Sequence, residues 1–224
     1  MIQGLPSYIS IVFILTTLVT VFLFFLASGR SVAGLVLILA WLLVQSIVSL
    51  NGFYTITNSF PPRFVLLGAP AVLFVLILFI SKKGRRYIDS MDVKKLTYLQ
   101  TIRIPVELVL FWLFVAGYVP QLMTFEGRNF DILTGITAPF VAFYAFRKQQ
   151  PDKKLLLVWN IICLALLVNI VVNAVLSAPF TFQRFAFDHP NTAILYFPFT
   201  WLPCCIVPIV LFSHLASIRQ LLKR

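Results

Sequence analysis

The sequence predicts an all-α integral membrane protein: a seven-transmembrane-helix bundle with its N-terminus outside and its C-terminus in the cytoplasm. Composition, hydropathy and charge distribution each point there. The 224-residue chain is 60% hydrophobic and only 11% charged, with a mean hydropathy of +0.97. Soluble domains carry about a quarter charged residues. Apolar stretches run over 8–26, 32–50, 65–81, 104–120, 131–146, 155–177 and 192–214, each about as long as a helix needs to cross a bilayer core. They are apolar throughout rather than alternating, which argues against a membrane β-barrel. Of the 18 Lys and Arg residues, only Arg63, Arg128 and Arg184 fall in one alternate set of connecting segments. The rest cluster at Arg30, within 81–103, within 147–154, and at Arg219, Lys223 and Arg224. The positive-inside bias assigns that richer set to the cytoplasm.

The elements follow in order. The first stretch has no basic residue before it and a long apolar run, so it reads as a retained helix rather than a signal peptide. The connection 81–103 is basic, with Ile88, Met91, Leu99 and Ile102 near helical spacing. It is expected to be an amphipathic helix on the inner membrane surface or a solvated basic loop. The fourth stretch opens Arg103-Ile-Pro-Val-Glu107. Proline suits a first helical turn, and Arg103 and Glu107, four apart, are expected to pair on one helix face. An ionisable group about one turn inside the membrane is a functional candidate. The sixth stretch carries Asn160, and a polar stripe of Asn169, Asn173 and Ser177. The seventh holds Pro198, Pro203 and Pro208, which kink or break a helix. His214 is expected at its cytoplasmic end. All seven stretches form one domain over residues 1–224.

The net charge of +11 does not imply nucleic acid, because most of it falls where anionic lipid headgroups would lie. Cys163, Cys204 and Cys205 all sit in apolar stretches and build neither a disulfide framework nor a zinc pattern. No cofactor motif is present, and two histidines at distant positions give no metal-ligand spacing. Neither a phosphate-binding loop nor a nucleophile elbow occurs.

The outward loops carry the candidate binding residues. Arg63, Glu126, Arg128, Asn129, Asp131, Arg184, Asp188 and His189 are interleaved with phenylalanines. They would form either an ion-paired lid at the outer interface or the rim of an outward pocket floored by Asn169 and Asn173. Asp131 also suits the positive end of a helix dipole.

Seven spans resemble the rhodopsin plan in topology, but the last stretch has no lysine for a retinal Schiff base. Pro120-Gln121 resembles the dipeptide of PQ-loop sugar transporters, yet it occurs once, where that family's plan implies two copies. The stretch Glu126-Gly-Arg-Asn-Phe-Asp131 resembles uncharacterised small polytopic bacterial membrane proteins, which implies an inner-membrane location and no particular activity. Three functions remain open: binding, sensing or transporting a small molecule or lipid; serving as an accessory subunit beside a membrane protein partner; or modifying a lipid enzymatically. The accessory reading expects a lateral groove with small residues such as Gly34, Ala40 and Ala174.

Overall fold

The computed structural model describes residues 2–223, so Met1 and Arg224 lie outside the described residues. Every regular element among them is helical. Helix α1 spans Ser7–Ala27 and α2 spans Val32–Leu50. In α1, Thr16, Thr17 and Thr20 donate to carbonyls of their own helix at 2.7–3.0 Å, which satisfies their hydroxyls before the helix is buried. Ser31 caps α2 by accepting from the Gly34 amide. Helix α3, Val65–Ile80, ends at Ser81, and the chain turns through 91° into α4, Lys82–Asp89. Gly84 makes that corner possible: a Cβ there would lie 2.2 Å from the Leu78 carbonyl oxygen.

Helix α4 buries Gly84 and Ile88 and exposes Lys82, Lys83 and Arg86, so it is amphipathic. It ends earlier than its hydrophobic spacing suggests. Asp92 accepts from the Lys95 amide and starts a new helix, α5, Val93–Leu99. A 3₁₀ turn over Gln100–Ile102 joins α5 to α6, Arg103–Val115, as one rod of 23 residues. The fourth long helix therefore begins at Val93 rather than near residue 104. Leu96 and Leu99 are buried while Lys94 and Lys95 on the opposite side are exposed; those lysines set this turn apart from the apolar run that it begins.

Helix α7 is Asp131–Ala145 and α8 is Lys153–Leu176, capped by Asp152. A π-helical turn, Leu202–Ile206, leads into α9, Val207–Leu222. The last helix thus runs about eight residues past the expected end at His214. Residues 192–201 stay mostly irregular instead, with the Thr192 amide tied to the Tyr118 carbonyl at 3.1 Å. Five helices are long and apolar enough to cross a membrane, or six if the bent α3–α4 pair is one span. Helix α7, at 15 residues, is shorter.

The short helix matters for position. Asp131, the first residue of α7, touches Arg103, midway along the Val93–Val115 rod. Gly135 permits the approach, since a Cβ there would meet Ile104 Cγ1 at 2.8 Å. The segment before α7 therefore descends into the bundle, and Met123, Thr124 and Asn129 on it are buried.

At the other end of α4, Asp89 holds Arg219 of α9 at 3.1 Å and also pairs with Lys223. The Lys223 hydrogen bond, with Arg219, keeps the Asp89 carboxyl below its usual 3.8. A group depressed in the folded state contributes stability above its unfolded value, and that contribution disappears as pH falls through the folded one. Amides of α4 should accordingly show smaller protection factors, each relative to the free-peptide exchange rate at the same pH, well below pH 3.8 than at neutrality, with those in the middle of α8 unchanged. Equal protection of α4 at both pH values would remove Asp89 as its anchor.

Candidate functional site

A chain of buried polar side chains crosses the centre of the bundle. Arg103 of α6 is 3% exposed, Glu107 one turn on is 2% exposed, and His214 of α9 is fully buried. Arg103 Nη1 pairs with Asp131 Oδ1, and Nη2 lies 3.2 Å from His214 Nε2. His214 Nδ1 lies 2.8 Å from Asn160 Oδ1 on α8. The Asn160 amide nitrogen donates to the Leu156 carbonyl at 2.8 Å, which leaves Oδ1 as the acceptor. A guanidinium can only donate. Nε2 must then accept and Nδ1–H must donate, so the geometry sets one neutral histidine tautomer.

On the other side, Asn129 Nδ2 donates to Glu107 Oε2 at 2.6 Å and to the Met123 carbonyl at 2.9 Å. Its Oδ1 accepts from the Asp131 amide at 3.0 Å. Asn129 therefore joins Glu107 to the α7 N-terminus. A cavity of about 60 Å³ borders Arg103, Glu107 and Asp131, with otherwise apolar walls.

Four of the sequence candidates, Arg103, Glu107, Asn129 and Asp131, thus converge, but not as their spacing suggests. Arg103 pairs with Asp131 rather than Glu107, and it sits inside the rod because that helix begins ten residues earlier. His214 and Asn160 complete the network. His214 looked interfacial only because its helix was expected to end there.

The remaining candidates stay apart from it. Arg63 stacks over the Phe53 ring at 4.5 Å and donates to the Phe53 carbonyl. Arg128 lies 5.9 Å from the Phe185 ring centre. Glu126, Arg184, Asp188 and His189 are exposed, and none of them makes an ion pair among the described residues. Asn173 is buried and donates to Asn169, which in turn donates to the Arg128 carbonyl at 2.9 Å. Those asparagines tie α8 to the descending segment.

A second feature lies on the opposite face of α9. A lateral groove of about 500 Å³ runs between α2, α3 and the π turn, with Gly34, Trp41, Ala71, Phe74, Cys205 and Phe212 among its walls. That volume is typical of small-molecule sites. The π turn stays intact there because Trp41 Nε1 donates to the Cys204 carbonyl at 3.0 Å. Pro208, four residues on, has no N–H to offer that oxygen. Ser31 and Tyr87 border one end of the groove. Burial raises the Tyr87 phenol above its ordinary value, partly offset by the Ser28 hydroxyl, so it remains a neutral donor. Lys83, four residues before Tyr87, shares its helical face, Arg86 adjoins Tyr87 in the chain, and Arg30 precedes Ser31.

The match that decides kinship covers residues 61–222 and is described as a domain of unknown function, DUF8737. The chain belongs to that family. No curated protein and no solved structure matches it. Every residue of the DUF8737 chain's buried network lies inside the matched segment, whereas the α1–α2 side of the groove precedes it.

Proposed function

We propose that this DUF8737 protein is a seven-span, single-domain protein of the plasma membrane, the inner membrane by its resemblance to small bacterial proteins, and that it binds an anionic membrane lipid. The lipid chain occupies the lateral groove, and the headgroup rests on Arg30, Lys83, Arg86 and the Tyr87 hydroxyl at its end. The carrying observation is one groove with apolar walls that ends at Ser31 and Tyr87, the chain neighbours of Arg30 and Arg86. Five long helices, α3 ahead of its bend, and α7 with its descending segment make up the seven spans. The distribution of Lys and Arg favours an outside N-terminus and puts the groove mouth on the cytoplasmic side, where anionic lipid is attracted to basic residues at about 1 kcal/mol each. Apolar walls suit a chain that enters sideways from the bilayer.

The test is retention of an anionic phospholipid by the purified full chain, in discs of zwitterionic lipid carrying a trace of labelled phosphatidylglycerol. The parent should enrich the label beside the protein. Ala71→Phe, which puts a ring into the groove, should lower retention about tenfold, near 1.4 kcal/mol. Lys83→Gln with Arg86→Gln should erase the preference over a labelled zwitterionic lipid. Equal retention by parent and Ala71→Phe contradicts the proposal, as does a membrane protein partner seated in the groove.

A further inference from the structure

The buried network has an odd charge count. Its ionisable members are one guanidinium, Arg103, and two carboxyls, Glu107 and Asp131. His214, the imidazole facing them from α9, is held neutral by accepting at Nε2 and donating at Nδ1. The titratable neighbour from α8 is Cys163, buried beside Thr134. No other cation pairs with either carboxylate, since the remaining ion pairs among the described residues involve Asp89 and Asp92 on other helices. With both carboxyls ionised, the centre of the bundle would hold a net negative charge away from water. An unpaired buried charge is costly enough that the group neutralises instead.

We infer that the network is a one-proton binding site and that the proton resides on Glu107. The two carboxyls are not equivalent. Asp131 faces the guanidinium directly and starts α7, where the helix dipole also favours an anion. Glu107 has no cation within ion-pair distance; its partner is the neutral amide of Asn129, which donates to Oε2. That leaves Oε1 free to carry the hydrogen. Asn129 links the Glu107 carboxyl to the backbone amide of Asp131, so loss of the Glu107 proton is felt at the residue that pairs with Arg103, and through that pair at His214 on α9. The inference does not rest on the lipid reading, which concerns the opposite face of α9.

Infrared spectroscopy of the full chain in lipid, at neutral pH, tests it without any substitution. A protonated carboxyl has its own C=O band, and ¹³C-labelled glutamate should move that band while ¹³C-labelled aspartate leaves it in place. Glu107→Gln, which mimics the protonated shape, should fold as the parent does, lack the band, and release one proton fewer per chain on alkalinisation. A spectrum without the band overturns the inference. A band that follows aspartate labelling, or that persists in Glu107→Gln, overturns the assignment to Glu107. Should the variant fail to fold, isotope labelling of the parent still decides.

Discussion

Replacing Asp131 by asparagine is expected to destabilise the bundle by about 3 kcal/mol, because it leaves the Arg103 guanidinium buried without its anion. Breaking a buried pair on one side costs about 3–5 kcal/mol. The lower end applies because Glu107 can release its proton and restore the charge balance from one turn away. Removing that reserve sharpens the effect. Asp131→Asn combined with Glu107→Gln should reach the upper end, about 5 kcal/mol, although Glu107→Gln alone is nearly neutral. Reversible unfolding of all four proteins in one lipid mixture gives the coupling directly. If the two substitutions merely add, Glu107 does not compensate for Asp131.

The second large effect is expected at Gly84. A methyl group there would meet the Leu78 backbone oxygen at 2.2 Å, and no side-chain movement relieves a clash with backbone. Gly84→Ala should therefore open the 91° corner between α3 and α4, at about 3 kcal/mol, the upper end of overpacking costs. The consequence also reaches the groove, since Tyr87 would leave its mouth. Weaker protection of α4 in hydrogen exchange, with lower lipid retention, is the expected pair of results. A variant with parental α4 protection would mean that the corner forms without help from this glycine.

Much of the architecture was legible because lipid-facing helices announce themselves by length and apolarity. The first and second helices fall within one residue of their apolar stretches. The errors arose where hydropathy and helix continuity part company. Lys94 and Lys95 are polar yet lie on the outer face of a helix whose inner face, Leu96 and Leu99, is buried. A contiguous-run reading stops short of such an amphipathic turn, so the rod appeared to begin near Arg103. The same mistake at the last helix moved its end to His214, although buried Ala216 and Ser217 carry it further.

The site was half legible for a related reason. Glu107, Asn129 and Asp131 stood out as polar residues beside or inside apolar stretches. Their partnership depends on the 116–130 segment descending between helices, which no periodicity encodes. Spacing favoured an Arg103–Glu107 pair; tertiary packing gave Arg103 to Asp131, 28 positions away. The groove was less accessible still. Only Gly34, among the small residues expected to line one, belongs to it, because its walls come from helices far apart in sequence.

The most direct measurement is a native mass spectrum of the full chain released from its own membrane in mild detergent, with the bound species identified by fragmentation. An anionic lipid at one copy per chain, absent from Ala71→Phe but retained by Glu107→Gln, is the predicted result. A parent chain that emerges bare, or that holds zwitterionic lipid as readily and keeps it in Ala71→Phe, would contradict the assignment of the groove to an anionic lipid.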